Sequence, residues 1–211
     1  MAFVQKITPC LWFDNQAEEA ARFYVSLFKN SAIGTITRYG KEGFEVHGRP
    51  AGSVMTVSFR LEGQEFTALN GGPHFKFTEA ISFVVRCETQ AEVDRYWDGL
   101  REGGDERAQQ CGWLKDKYGV SWQIVPAALF EMMADADSKK SGRVMRAMLQ
   151  TKKLDLASLR CRGVFRSESR LPVSRAAHAT CLHRISPLPF VLMTPSCLAA
   201  VWSCPVIRLL Q

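Results

Sequence analysis

Apolar residues recur with helical spacing in two stretches of the chain that lie 74 positions apart. The first stretch reads N-Q-A-E-E-A-A-R-F from Asn15, and the second reads T-Q-A-E-V-D-R-Y-W from Thr89. In each, a residue that favours the N-cap is followed three positions later by a glutamate, Glu18 or Glu92, which is the spacing of a capping box. Chance similarity between two amphipathic helices is the alternative. Because the flanking segments match as well, the pattern predicts an internal repeat.

Short runs of β-forming residues flank both predicted helices. The predicted strands cover 7–13, 33–39, 53–61 and 65–69 in the first copy, and 80–87, 105–108, 110–115 and 120–125 in the second. The segment 105–108 is the weakest of these. Glu62-Gly63-Gln64 predicts a tight hairpin, and Asp116-Lys117-Tyr118-Gly119 predicts a turn. The order β-α-β-β-β thus occurs twice.

A unit of this kind exposes one apolar sheet face, so two units have to pack together to bury it. The expected fold class is therefore α+β, with two βαβββ modules around a small-molecule cleft. The segment 127–157 predicts further helices, because Pro126 suits a helix start and Asp137-Ser138 precedes the apolar run within Arg143–Leu149. We place the domain at residues 1–159.

The charge of the chain is unevenly distributed. Residues 1–159 carry 20 basic and 20 acidic residues, whereas residues 160–211 carry seven arginines and one acid, Glu168. The net charge of +6 therefore comes from the last quarter of the chain, and the basic balance does not predict a nucleic-acid partner for the domain.

The composition of residues 160–211 also differs from that of the domain. This tail has five prolines and four cysteines, and no apolar period persists in it. We interpret it as disordered or out of frame. Its uncharged stretch 185–207 contains four prolines, so no membrane span is predicted. The domain cysteines lack C-x-x-C spacing and the N-terminus lacks a signal peptide, which predicts a cytoplasmic location.

Four segments of the chain are characteristic of a known family. They read P-C-L-W-F-D-N-Q-A-E-E-A-A-R-F-Y, A-L-N-G-G-P-H-F-K-F-T-E-A-I-S-F-V-V, C-G-W-L-K-D-K-Y-G-V-S-W-Q-I-V-P and R-V-M-R-A-M-L-Q-T-K-K-L-D-L-A-S-L. Together they resemble the PhnB-like family, also called the 3-demethylubiquinone-9 3-methyltransferase domain family. It belongs to the vicinal-oxygen-chelate superfamily, with glyoxalase I and the bleomycin-resistance proteins. The resemblance covers about residues 5–159 and implies paired modules and a homodimer.

The resemblance also implies where a catalytic metal would be held. Metal-using members carry His or Glu at inward positions of the first and last strand of each module. The matching positions here are Thr8 to Cys10, Thr67, Leu69, Asn70, Ala80, Ser82 and Gln123, with Gln123 standing where such a relative carries Glu. Divalent ions of this type need several anionic or imidazole ligands. We therefore expect no catalytic metal and no other cofactor.

A mostly apolar cleft with a few amide and hydroxyl groups is typical of a small-molecule site. The candidate pocket residues are Cys10, Trp12, Thr67, Leu69, Asn70, Ser82, Trp113, Trp122 and Gln123; each tryptophan could instead belong to the core, and Gln123 could be a satisfied buried amide. Two loop histidines, His47 and His74, are expected at the surface. Glu79 and the pair Asp116-Lys117 are expected to be solvated turn charges.

The expected function is the binding or transformation of a small organic molecule by a metal-independent homodimer. The first alternative is a non-catalytic protein that sequesters a compound, of the bleomycin-resistance type. The second is a metal-dependent lyase, isomerase or dioxygenase with atypical ligands. The methyltransferase label has no support from motifs, because the chain contains no G-x-G-x-x-G loop.

Overall fold

Residues 5–164 are described by the computed structural model, and within this range the chain forms two small β-sheets and six α-helices. The chain divides into one unit over Met1–Gly163 and another over Val164–Gln211. The last helix runs to Val164, five residues beyond the predicted boundary at Leu159. The interpretation of the tail otherwise concerns residues that lie outside the described range.

Module 1 contains a four-stranded sheet. Its elements are β1 (Cys10–Phe13), α1 (Ala17–Leu27), β2 (Ala32–Arg38), the short α2 (Phe44–His47), β3 (Val54–Leu61) and β4 (Gln64–Asn70). The strand order is β1-β4-β3-β2, and β1 runs parallel to β4. The predicted hairpin is confirmed: Leu61 pairs with Gln64, and Glu62 and Gly63 have φ angles of 45° and 83°. Two positive φ angles are the signature of a type I′ turn.

Module 2 repeats this order with one strand fewer. Its elements are β5 (Phe83–Cys87), α3 (Gln90–Arg101), a 3₁₀ helix (Glu106–Ala108), β6 (Trp113–Lys115) and β7 (Ser121–Pro126). The sheet order is β5-β7-β6, with β5 parallel to β7. The strand predicted near 105–108 is wrong. The carboxylate of Asp105 accepts a hydrogen bond from the Arg107 amide, and this local bond favours a turn over a strand.

Three helices follow the second sheet: α4 (Ala127–Met133), α5 (Ser138–Leu149) and α6 (Leu156–Val164). Asp137 is the N-cap of α5, since its carboxylate accepts from the Lys139 amide at 2.9 Å. The helices form a small apolar cluster on the outer side of β7, made of Val125, Leu129, Val144, Ala147, Leu154 and Leu159. They therefore cover one end of the second sheet.

A single larger core joins the two modules. Phe28 of α1 stacks on Tyr96 of α3 at 4.8 Å and on Trp122 of β7 at 5.5 Å, measured between ring centroids. Alternate residues of both sheets, such as Phe59 and Ile124, fill the same cluster. The mixed α+β fold is confirmed, and the apolar faces of the two sheets are buried against α1 and α3.

Candidate functional site

Four of the predicted pocket residues share the outer face of the first sheet. Cys10 pairs with Thr67 and Trp12 pairs with Leu69 across the parallel strands β1 and β4. They alternate with buried residues of the core, such as Leu11, and side chains of a strand alternate between its two faces. None of the four is fully buried. The structure thus brings these candidates together on one surface, which we call the open face.

The indole of Trp12 is fixed at one end of the open face. Its Nε1 donates a hydrogen bond to the Gly72 carbonyl at 2.8 Å, and the Phe75 ring meets it edge-on at 4.9 Å. The ring lies so close to Gly71 that a Cβ at that position would overlap it. The Gly71-Gly72 pair, which the sequence indicated only as a turn, therefore also makes room for the indole.

Cys10 is the ionisable member of these four residues. Partial burial raises the pKa of its thiol. A thiol with a raised pKa stays protonated near neutral pH and is a weak nucleophile. The open face therefore offers apolar surface, a thiol and hydroxyl groups, and its four candidates include no side chain that is charged at neutral pH.

Three other candidates lie on the outer face of the second sheet. Gln123 pairs with Trp113 across β6 and β7, and its Nε2 donates to the Ser82 hydroxyl at 2.8 Å. Gln123 is thus a half-buried amide with a partner. Beside it, Lys115 forms an ion pair with Glu79, and both side chains are about three-quarters buried. The prediction that Glu79 is a solvated turn charge is therefore wrong.

Asn70 points away from the open face and into the core. Its Oδ1 accepts from the Ala17 amide at 2.8 Å, and its Nδ2 donates to the Val54 carbonyl at 3.1 Å. Asn70 on β4 therefore accepts a hydrogen bond from the first turn of α1, although the two lie 53 positions apart in the sequence. The N-cap role predicted for Asn15 is wrong, because Gln16 stands at the N-cap and its side chain makes no capping bond.

Trp122 also belongs to the core, with 2% of its surface exposed. Its Nε1 donates to Oδ2 of Asp116 at 2.8 Å, and the Tyr24 hydroxyl donates to the same oxygen at 2.8 Å. The other oxygen of Asp116 accepts from the amides of Tyr118 and Val120. Asp116 is therefore a buried acceptor that links α1 to β7, not the solvated charge that was predicted.

Sequence reasoning missed the role of Asp116 because Asp116-Lys117-Tyr118-Gly119 has the composition of an exposed turn. The nearby Trp122 was the available signal, since a buried indole N–H needs an acceptor. Burial is the main influence on the Asp116 carboxyl and raises its pKa, although the four hydrogen bonds oppose this shift. The carboxyl therefore has a structural role and lies outside the open face.

The two histidines occupy the surroundings of the first sheet. His47 is half-buried at the end of α2, where its Nδ1 accepts from the Arg49 amide at 2.9 Å and its ring packs on Tyr39 at 4.5 Å. His74 is exposed in the segment between the modules, as predicted. Neither belongs to the four candidates on the open face.

The strand–helix turns do not have the form that a methyl-donor cofactor requires. Such a cofactor is approached by a glycine-rich turn with free amides at the helix start. Here the turns before α1 and α3 contain no glycine, and amides of the first helical turns already have partners: the Ala17 amide donates to Asn70 and the Glu92 amide donates to Thr89. For a divalent ion, the positions implied by the resemblance hold neutral side chains, and no cluster of three His, Cys, Asp or Glu residues occurs within residues 5–164.

Comparisons with known proteins agree with this architecture. Residues 5–125 match the family described as 3-demethylubiquinone-9 3-methyltransferase. A solved structure from Bacillus cereus, named as a PhnB protein and 3-demethylubiquinone-9 3-methyltransferase, is 41% identical; the alignment covers 58% of this chain and 100% of that one, with a TM-score of 0.51. A Staphylococcus aureus structure is 32% identical over 58% of this chain and 96% of its own, with a TM-score of 0.27. No curated protein matches the chain.

The match covers both modules and more than half of the chain, from before β1 to the penultimate residue of β7. The matched range includes Trp12, the Gly71-Gly72 pair and the buried Asp116. Among residues 5–164, no helix is long and apolar enough to cross a membrane. The chain therefore belongs to the 3-demethylubiquinone-9 3-methyltransferase family, whose PhnB-like members have the vicinal-oxygen-chelate fold.

Proposed function

We propose that this protein binds a small organic molecule on the open face of its first sheet, without a metal. The fixed indole of Trp12 is the observation that carries this proposal. A ring that is held by a hydrogen bond and seated on Gly71 loses little freedom when a ligand packs on it. Leu69 adds apolar area, while Thr67 and Cys10 add polar groups that can orient a ligand.

The chemistry of the open face supports binding more than acid–base or nucleophilic catalysis. General catalysis needs a group whose pKa lies near the working pH, and the raised pKa of Cys10 moves its thiol away from that range. We therefore place sequestration of a compound ahead of its transformation. A ligand that brings its own reactive group, or a second chain that adds one, would restore the enzymatic alternative.

We further propose that the protein is a cytoplasmic homodimer. Phe75, Ile81 and Val84 are apolar and between about half and three-quarters exposed, and Phe75 adjoins Trp12. Exposed apolar groups close to a ligand surface are typical of an interface, and the family resemblance favours a second copy of the chain. The free thiols of Cys10, Cys87 and Cys161 are consistent with a reducing compartment.

The dimer is tested by sedimentation of the full chain at several concentrations. Ile81→Lys is expected to shift the protein towards the monomer, because a charged ammonium would be buried without a partner. Val46→Lys is the matched control, since Val46 is even more exposed and lies on α2. A wild-type chain that stays monomeric at every concentration would disprove this part of the proposal.

The ligand site is tested by native mass spectrometry of the full chain for copurified molecules, followed by titration of any compound found. Trp12→Ala should weaken binding by at least about tenfold, which is the effect of losing a central aromatic contact. Trp113→Ala is the control, because Trp113 lies on the outer face of the other sheet. Loss of binding in Trp113→Ala alone would move the site to the second sheet.

Gly71→Ala provides an independent test. The added methyl group overlaps the Trp12 ring, so the indole has to move away from Gly71. Every polar group of the open face remains in this variant. We expect weaker binding with little change in the rest of the fold. Unchanged affinity in this variant would show that the position of the indole is irrelevant to the ligand.

A further inference from the structure

A cavity lies between the start of α1 and the segment that joins β2 to β3. Its volume is about 240 Å³, and it is lined by Asn15, Glu18, Arg49, Pro50, Ser53, Val54 and Asn70. Of the residues on its wall, only Asn70 was a predicted pocket residue, so this cavity is separate from the open face.

Arg49 contributes an unusual cation to the wall. Its side chain is 21% exposed. One nitrogen, Nη2, donates both to the Asp14 carbonyl at 2.6 Å and to the Asp14 carboxylate at 3.0 Å. Its Nε and Nη1 have no hydrogen-bond partner within residues 5–164. Because Arg49 is held through Nη2, the two N–H groups of Nη1 remain available to a carboxylate.

Glu18 contributes the opposite charge. Its Oε1 accepts from Nε and Nη2 of Arg22, one helical turn away, at 3.0 and 2.7 Å. Its Oε2 accepts no hydrogen bond in the described part of the chain. Arg22 and Asp14 partly neutralise these two charges. A ligand with a single charge therefore gains only one of the two contacts, with Arg49 or with Glu18. A molecule that carries both charges would be attracted by each.

We propose that this cavity binds a small zwitterion with one carboxylate and one ammonium group, of the free amino acid class. Arg49 donates to the carboxylate from Nη1, and Glu18 binds the ammonium group through Oε2. The Asn15 amide and the Ser53 hydroxyl, which donates to the Pro50 carbonyl at 2.6 Å and keeps its lone pairs, are further contacts. This inference does not depend on ligand binding at the open face.

The test uses the full chain and the free L-amino acids as probes, each screened by thermal shift and then by calorimetric titration. For the best binder, the amine without the carboxylate and the acid without the ammonium group are titrated as well. Saturable binding of the amino acid is expected, with binding of both single-charge compounds at least about tenfold weaker. No saturable binding below about 10 mM for any amino acid would overturn the proposal.

The site is located with charge-removing variants. Arg49→Gln and Glu18→Gln should each weaken binding by about tenfold or more, whereas Arg38→Gln and Glu45→Gln should not. Arg38 is a suitable control because it donates to Gly52 of the same connecting segment and does not line the cavity. Since Arg49→Gln also loses an Asp14 contact, Glu18→Gln provides the second readout. Unchanged affinity in both variants, or loss only in Trp12→Ala, would overturn the assignment.

Discussion

The two modules share an order of elements but use equivalent positions differently. At the end of the first sheet, Phe13 pairs with Asn70, whose amide caps α1. At the end of the second, Cys87 pairs with Pro126, which has no side chain that could cap a helix. The start of α3 is instead satisfied by its own Thr89 and Glu92. Duplication of the fold therefore did not duplicate the contacts that hold it.

The outer faces of the two sheets also differ in what their equivalent residues contact. Trp12 corresponds to Arg86 by the repeat offset of 74 positions. The indole of Trp12 rests against Gly71 and Phe75, while the guanidinium of Arg86 stacks on Phe130 of α4 at 4.9 Å. Pro126 leads directly into α4, so the second sheet is partly covered where the first stays open. The ligand surface that we propose therefore lies in module 1.

The largest expected effect concerns the buried link between the modules. Asp116→Ala leaves the donors of Tyr24 and Trp122 and two backbone amides without an acceptor in the core. We expect the free energy of unfolding to fall by about 3 kcal/mol or more. Urea unfolding of the full chain measures this change. Tyr24→Phe removes only one donor and should cost about 1 kcal/mol, and an equal loss in both variants would contradict the role of the carboxylate.

The next largest effect on stability concerns the capping of α1 by Asn70, which lies on a distant strand, in contrast to the local cap of α3 by Thr89. Asn70→Ala removes the acceptor of the Ala17 amide and the donor to the Val54 carbonyl, both inside the protein. We expect a loss of about 2 kcal/mol in the same unfolding experiment. Asn15→Ala is the matched control and should change little, because the Asn15 side chain does not cap the helix.

Thr89→Ala should have a smaller effect than Asn70→Ala. Its hydroxyl accepts from the Glu92 amide at 3.2 Å at an exposed helix end, where water can replace the lost partner. The expected loss is about 1 kcal/mol, the usual cost of removing an N-cap side chain. Hydrogen exchange of the first-turn amides would locate the change in α3. A loss larger than that of Asn70→Ala would reverse the comparison between the modules.

Local sequence patterns were sufficient to predict a contact wherever its two residues lie within a few positions of each other. The Thr89–Glu92 cap, the Glu62-Gly63 hairpin and the Asp137 cap could all be predicted for this reason. The Asn70 cap and the bond from Tyr24 to Asp116 could not, because the two partners in each lie 53 and 92 positions apart. No local spacing encodes such contacts.

The candidate site shows the same division. Strand alternation places Cys10, Trp12, Thr67 and Leu69 on one face, once the register of β1 and β4 is known. The sequence could not supply that register. Alternation alone, however, already separates Asn70 from Leu69 and Trp122 from Gln123, so grouping them in one pocket overlooked a local signal. The sequence also contained no sign that Arg49 and Glu18 share a cavity, since they meet only when the segment after β2 folds back onto α1.

The smallest expected effect is a pH dependence that belongs to Asp116 alone. Burial raises the pKa of this carboxyl in the folded protein, so the folded state holds its proton more tightly than the unfolded state does. Folding stability is then greatest below the unfolded pKa and falls as pH rises through the folded pKa. The exposed Asp94 and Asp105, whose pKa values are lowered by Lys153 and Arg107, act in the opposite direction.

Comparison with Asp116→Asn isolates this contribution, because Asp94 and Asp105 titrate alike in both proteins and cancel in the difference. We expect the stability of the wild-type protein relative to the variant to decrease as pH rises from acidic values through the raised pKa of Asp116. Urea unfolding at several pH values measures it. A relative stability that instead increases over this range would mean that the four hydrogen bonds to Asp116 outweigh its burial, and that the link between the modules is strongest when it is charged.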